Sequence, residues 1–313
     1  MRRRCVRPPR SRARRALNST RSILLLNPRR TRGEYAAGCC RESRGFLFSP
    51  ILGRGTTVGN DDKRLRKYQQ WYDSHIAKGT DSFEKFHYHL QYQTRRLTLN
   101  GKRVLEVGCG RGAVSLYLAL FSGAREVVAL DEAAGVGAPV GVTDTLKDAL
   151  QEFRVRNSTV VNADIMRNDF PDESFDVVIA NYALHHVVDS GFIAKDPATR
   201  QAYHALWTEL ARVVVPGGTL SVAEISRICF WRWSPVKLKL KNIDWELHPT
   251  RGEWLSSMSN AGIVVRGCDF LVPYGVRKFE SLFANSLAGF FSGSNFILTA
   301  EKVGSAKTLV ASR

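Results

Sequence analysis

Several things are scarce in this sequence, and each scarcity narrows what the chain can be. Six cysteines, at 5, 39, 40, 109, 229 and 268, include no C-x-x-C pair. The seven histidines show no ligand spacing beside them, so no metal site is expected. Six scattered thiols in 313 residues also argue for a reducing interior and against a secreted disulfide scaffold. No apolar run approaches the ~20 residues a spanning helix needs; SILLL near residue 24 is among the longest. A soluble, intracellular (cytoplasmic) protein is the expectation. Acids are absent from the head until Glu34. The stretch MRRRCVRPPRSRARRALNSTRSILLLNPRRTRG has the composition of an organelle-targeting presequence. A mitochondrial or other organelle location is therefore the alternative, and a plain disordered basic tail is the blander one.

Charge is unevenly spread. Residues 1–60 hold 15 arginines against Glu34 and Glu42, a local charge of +13 out of +17, which leaves +4 for the other 253 residues. The body is near neutral, so the high overall charge says little for nucleic-acid binding by the folded part. The expected organisation is a disordered Arg-rich head over 1–60, one domain over 61–303 and a short flexible tail over 304–313.

From residue 61 onward the pattern is helical, with aromatic and apolar residues in DDKRLRKYQQWYDSHIAKG and DSFEKFHYHLQYQTRRL. Strands and helices then alternate. KRVLEV (102–107), EVVALD (126–131), STVVNAD (158–164), FDVVIAN (175–181) and TLSVAEI (219–225) read as strands, several of them continuous apolar runs suited to a parallel sheet. Helices are expected over 113–122 and over TDTLKDALQEF. A third is striped by Tyr203, Leu206, Trp207, Leu210 and Val214, and stops at Pro216-Gly217-Gly218. A last helix over TRGEWLSSMSNAG is followed by strands at 263–272 and 295–302. This alternation predicts a doubly wound α/β sheet with its ligand crevice beyond the C-terminal strand ends.

Between the first strand and its helix lies VGCGRGA. Gly108, Gly110 and Gly112 permit a tight turn and a close approach of backbone to a ligand, and the helix after them offers unpaired N–H groups. GCGRGA also satisfies the dinucleotide pattern G-x-G-x-x-A, so a nicotinamide or flavin enzyme has to be weighed. Glu106, two residues before the first glycine, would repel a pyrophosphate and attract an ammonium or sulfonium. Asp131 ends the second strand, 21 residues after Gly110, where a carboxylate can accept from two ribose hydroxyls. Asp164, past the third strand, is placed for an exocyclic amine. Cys109 inside the turn reads as a small tolerated residue, and Gly217-Gly218 as turn chemistry.

In LEVGCGRG, VVALD, NADI, DESFDVVIANYALHHV and LARVVVPGGTLSVAEI, over about residues 100–225, the chain resembles the class I S-adenosylmethionine-dependent methyltransferases, in particular the type 11 small-molecule enzymes. The resemblance implies a Rossmann-like seven-stranded sheet with an antiparallel last strand, and S-adenosylmethionine as cofactor. It further implies that Glu106 and the glycine turn cradle the methionine part, Asp131 holds the ribose, Asp164 and Ile165 meet the adenine, and Asn181 borders the transferred methyl. The Gly/Pro-rich AAGVGAPVG after Asp131 departs from the family pattern and bears on Glu132 and the adenosine side.

His185 and His186 follow the fourth strand on the loop beside the expected methyl position, and one of them is a candidate base. Tyr72, Asp73 and His75 are weaker candidates for a lid. Trp231, Trp233, Trp245 and Trp254, together with the alternating Lys/Leu of 237–241, would suit an apolar or amphiphilic small-molecule acceptor with an anionic part, or peripheral membrane contact. An RNA methyltransferase tethered by its head is the rival reading; the near-neutral body and NYAL, where base-amine methylating enzymes show N-P-P-Y, stand against it. Tyr274-Gly-Val-Arg-Lys278 spells the Y-x-x-x-K of short-chain dehydrogenases, but without that family's glycine turn. A non-catalytic scaffold is the last alternative.

Overall fold

The runs read as strands form the seven strands of one sheet, but Ser158–Asn162, expected to be buried, lies at the sheet edge and is half-exposed. The computed structural model describes residues 58–77, 81–132, 140–188, 196–234 and 245–303. Residues 1–57, 78–80, 133–139, 189–195, 235–244 and 304–313, which include the head, the tail and the lysine-bearing stretch, lie outside the described residues. The strands are β1 (Arg103–Val107), β2 (Glu126–Asp131), β3 (Ser158–Asn162), β4 (Phe175–Asn181), β5 (Val214–Ile225), β6 (Ile263–Phe270) and β7 (Asn295–Lys302). Their order is β3-β2-β1-β4-β5-β7-β6. Pairs among β1 to β5 are parallel, and β7 runs antiparallel to both neighbours. The expected antiparallel last strand is present.

Strand alternation splits the core in two. Leu105, Val107, Val128, Leu130, Val178 and Ala180 face one side, and Val104, Val127, Ala129, Val177 and Ile179 the other. On the first side pack α5 (Pro197–Val213) and α7 (Arg251–Asn260), through Tyr203, Leu206, Trp207, Trp254 and Met258. On the second pack α1 (Val58–His75), α2 (Phe83–Thr94), α3 (Ala113–Phe121) and α4 (Asp144–Glu152). Helix starts follow local chemistry. Asp196 caps α5 by accepting from the N–H groups of Ala198 (3.2 Å) and Thr199 (3.1 Å), and Thr250 with Glu253 forms a capping box on α7.

The structure moves one boundary. Helix α5 ends at Val213, and Val214 already belongs to β5, paired with Phe175. The chain then makes an excursion through Pro216-Gly217-Gly218, with Gly217 at φ +76°, and rejoins the ladder at Thr219 opposite Val177. A helical stripe and a strand-edge contact both bury Val214, so its apolar character could not separate them. Short elements missed in the sequence lie at the end of the sheet where β5 finishes and β7 begins: α6 (Phe230–Trp233), α8 (Glu280–Phe283) and α9 (Ser286–Ser292), besides 3₁₀ turns at Ile165–Arg167, Leu184–His186, Trp245–Leu247 and Tyr274–Phe279. Among the described residues no helix is long and apolar enough to cross a membrane.

The chain reverses its winding between β1 and β4, which are neighbours in the sheet though separated by β2 and β3 in sequence. In an open α/β sheet this switch point opens a crevice at the C-terminal strand ends.

Candidate functional site

A cavity of about 190 Å³ occupies that crevice, and its lining includes Gly108, Gly110, Asp131, Glu132, Asp164, Ile165 and His186. Each of these was singled out in the sequence, and four strands and turns bring them together. The three glycines all have positive φ, but for different reasons. A Cβ on Gly108 (φ +74°) would sit 2.2 Å from the Ala183 Cβ, and one on Gly112 (φ +84°) 2.5 Å from Leu146. Both are glycine because the chain packs against itself. Gly110 (φ +52°) has nothing within 4 Å, so the open backbone of the turn is concentrated there.

Asp131 ties the second strand to that turn: the Gly110 N–H donates to its Oδ2 at 2.5 Å. Burial lifts the Asp131 carboxyl above its usual value, against the downward pull of the Gly110 and Glu132 N–H groups. Asp164 caps the short turn at Ile165–Arg167 by accepting from the Met166 N–H at 2.8 Å. One of its oxygens therefore does the work of a cap residue, while the residue still lines the cavity. Ile165 is buried beside it.

Glu106, Gly112 and Asn181 are not in the lining. Glu106 is 2% exposed and its carboxylate takes the Ser115 hydroxyl as donor, inside the core face toward α3. Its position on β1 is even-numbered with Val104, so strand alternation turns it beneath the turn, not to the mouth. Burial pushes its carboxyl up to about 8, with the Ser115 hydrogen bond opposing. Asn181 closes β4 in register with Ala223. The next residue, Tyr182, lines the cavity with φ +53°, a conformation few bulky residues adopt. No sequence signal marked Tyr182, Ala183 or Val187, which complete this wall.

The two histidines part company. His186 lines the cavity, and its buried Nδ1 has no hydrogen-bond partner among the described residues. Burial, and then the neighbouring His185, hold it below the usual imidazole value. His185 is 5% exposed and turned inward, its Nδ1 2.8 Å from Glu224 Oε2. The Cys109 thiol is pushed up by burial, so it stays a thiol. The lid candidates are structural: Tyr72 is core, stacked 4.7 Å from Phe86, and His75 stacks on Trp71. Arg111 of the turn does reach α1, donating to the His75 carbonyl at 2.8 Å.

Of the four tryptophans grouped by sequence, Trp254 is fully buried between Tyr203 and Trp207. Trp231 donates to the Phe291 carbonyl (2.7 Å), and Trp233 is 58% exposed beside Phe290. Tyr274 packs on Tyr88 under the Arg277 guanidinium, a structural use of the Y-x-x-x-K match. A larger cleft of about 540 Å³ lies at the opposite strand ends, lined by Arg64, Arg125, Arg154 and Arg156. Its lining includes Glu126 at the start of β2 but not Asp131, Glu132 or Asp164, and it sits away from the switch point.

Residues 105–222 match the family model described as a methyltransferase domain. An uncharacterized methyltransferase of Mycobacterium tuberculosis is 36% identical over 119 residues, 38% of this chain and 48% of that one. The chain thus spans about half the length of the first curated relatives it matches. The ubiquinone/menaquinone biosynthesis C-methyltransferase UbiE of Vibrio vulnificus is 27% identical over 208 residues, covering 64% of this chain and 72% of that one. A solved structure from Listeria monocytogenes, assigned as an S-adenosylmethionine dependent methyltransferase, superposes with a TM-score of 0.50 at 15% identity, over 70% of this chain and all of that one; it shares the fold.

Proposed function

We propose, from the match to a methyltransferase domain and the similarity to methyltransferases, that the chain is a class I S-adenosylmethionine-dependent methyltransferase and transfers a methyl group from S-adenosylmethionine to a small-molecule acceptor of apolar or amphiphilic character. One observation carries the reading: acids from the ends of β2 and β3 line a single cavity with a side-chain-free glycine turn.

The residues fit this cofactor better than a dinucleotide. Asp131 offers a carboxylate to a ribose diol, Asp164 and Ile165 offer an acid edge and an apolar wall to an adenine, and Gly110 leaves room for close backbone approach. A pyrophosphate would meet Asp131, Glu132 and Asp164 without a cation among the lining residues. When bound, the sulfonium supplies an already activated methyl group. The protein's tasks are then to hold the acceptor in line at about 3–3.5 Å and to exclude water. Tyr182, Ala183 and Val187 form the wall that shapes this approach. Of the two histidines, His186 is the candidate to take a proton from the acceptor, because it lines the cavity and His185 does not.

An apolar acceptor is supported by the surface beyond β5. Trp233 (58% exposed), Leu282 (68%) and Leu287 (69%) join Phe230, Phe283 and Phe291 on α6, α8 and α9. That much apolar surface on neighbouring elements marks an interaction site. The quinone-pathway relative acts in the same chemical direction.

Calorimetric titration tests the cofactor: S-adenosylhomocysteine should bind and NAD(P)H should not. Methyl-labelled cofactor offered with fractionated extracts tests the acceptor. Label in apolar small molecules is expected, and label chiefly in RNA would replace the acceptor class.

A further inference from the structure

A second cluster of reactive groups lies one residue from the cofactor cavity. Glu224, near the end of β5, is 0% exposed. Its Oε1 accepts the Leu184 N–H at 3.1 Å, and its Oε2 lies 2.8 Å from His185 Nδ1. The His185 ring packs 4.2 Å, centroid to centroid, from that of His248, which follows the turn Trp245–Leu247. All three side chains are buried, and one ligand atom of each lies within 4.8 Å of the others.

Burying a carboxylate costs several kcal/mol unless it is well compensated. Among the described residues the ion-pair partner of Glu224 is His185, an imidazole, with no lysine or arginine on it. Two imidazoles and a carboxylate, dry and convergent, form the donor set that selects first-row divalent transition ions. Three protein ligands leave coordination positions open, the pattern of sites that act on a bound molecule.

We propose that His185, Glu224 and His248 bind a divalent transition-metal ion whose open positions hold an oxygen of the methyl acceptor. Ion binding stands on these three residues alone; the role given to the ion rests on the methyl-transfer reading. Metal–ligand bonds of about 2.0–2.2 Å in a tetrahedral site place ligand atoms roughly 3.4 Å apart, so a set within 4.8 Å closes with about an ångström or more of side-chain movement. Outer contacts hold the ligands. The Leu184 N–H fixes the second oxygen of Glu224. Arg227 donates to the His248 carbonyl (3.1 Å) while ion-paired with Glu253 (2.5 Å), which steadies the backbone that carries His248.

Position gives the ion its use. The His185 and His186 rings lie 4.0 Å apart, and His186 borders the cofactor cavity. On the methyl-transfer reading, an oxygen held on the ion would lie on the His186 side of that cavity, although the three ligands are not themselves in its lining. The sequence hides this site because Glu224 is 39 residues after His185 and 24 before His248.

The test uses the full chain, stripped with chelator and titrated with Co²⁺. One equivalent should bind with visible d–d bands, and Zn²⁺ should displace it. His248→Ala and Glu224→Gln should each weaken Co²⁺ affinity by about 100-fold or more, by analogy with the ten- to hundredfold losses seen for outer-shell partners. S-adenosylhomocysteine titration of the same variants reports folding separately, and should stay within about threefold of wild type. His248→Asn serves as the second variant if the alanine form loses that binding. No Co²⁺ uptake by the stripped wild type, or unchanged uptake by a folded His248 variant, would overturn the site. Metal uptake without nucleoside binding would leave the site standing and remove the methyl-transfer reading instead.

Discussion

Along β1, β2 and β3 the molecule fixes acids by hydrogen bonds: Asp131 on the Gly110 N–H and Asp164 on the Met166 N–H, both backbone, and Glu106 on the Ser115 hydroxyl. Along β5 and β7 it sets aromatic rings against solvent, with Phe230 5.3 Å from Phe291 and Trp233 6.0 Å from Phe290. The first flank is specified by short-range chemistry, residue by residue, and suits one ligand of fixed shape. The second is specified by apolar area and suits a ligand recognised mainly by its greasiness. On the proposed reading, a methyl donor common to a family and an acceptor peculiar to one member call for that division.

Four experiments sharpen the contrast. The largest effect is expected at Glu106. Its folded value of about 8 lies above the ordinary 4.5, so its protonated form contributes stability in full below about pH 4.5 and loses it as pH rises through about 8. Denaturant unfolding of the ligand-free protein between about pH 5 and about pH 9 should cost wild type roughly 4 kcal/mol more than Glu106→Gln. Parallel profiles for the two proteins would show that Glu106 is ionised throughout. A cationic ligand that draws the proton off should also release it to buffer, visible as a buffer-dependent binding enthalpy.

Next comes Gly108→Ala, which combines a positive φ with a methyl 2.2 Å from the Ala183 Cβ. It should lose about 3 kcal/mol in thermal unfolding. Gly110→Ala meets only open space and should lose about 1 kcal/mol, while weakening S-adenosylhomocysteine binding more than its stability cost implies. Equal stability losses at the two positions would erase the distinction drawn between them. Asp131→Ala, third, takes away the carboxylate proposed to hold a ribose diol and should weaken S-adenosylhomocysteine binding by about 100-fold, roughly 2.7 kcal/mol.

The smallest effect on stability belongs to the other flank. Trp233→Ala and Leu287→Ala should each change stability by less than about 0.5 kcal/mol, because both side chains are mostly in water. Turnover of an apolar acceptor should fall several-fold with cofactor affinity unchanged. A loss of cofactor affinity instead would tie this surface to the first flank.

The same contrast explains what could be read in advance. Asp131, Asp164 and Gly110 were legible because a strand end, a turn and a fixed chain order leave few places for them to go. Glu106 was legible in kind but misplaced: strand alternation turned it under the turn, which the glycine spacing alone does not reveal. Trp254 looked like its neighbours in a tryptophan-rich stretch, yet the capping box at Thr250 and Glu253 starts a helix that carries it into the core. Tyr182 owes its place to a positive φ that no residue type announces. Glu224 and His248 depend on the return of β5 and the turn after it, contacts between positions far apart in sequence, and periodicity carries no signal for those.

The most direct measurement is a structure of the full chain with S-adenosylhomocysteine. The Asp131 carboxylate should accept from both ribose hydroxyls, with the adenine between Asp164 and Ile165 and the homocysteine over Gly110. A nucleoside seated away from these acids, for example in the arginine-lined cleft at the opposite strand ends, would contradict it.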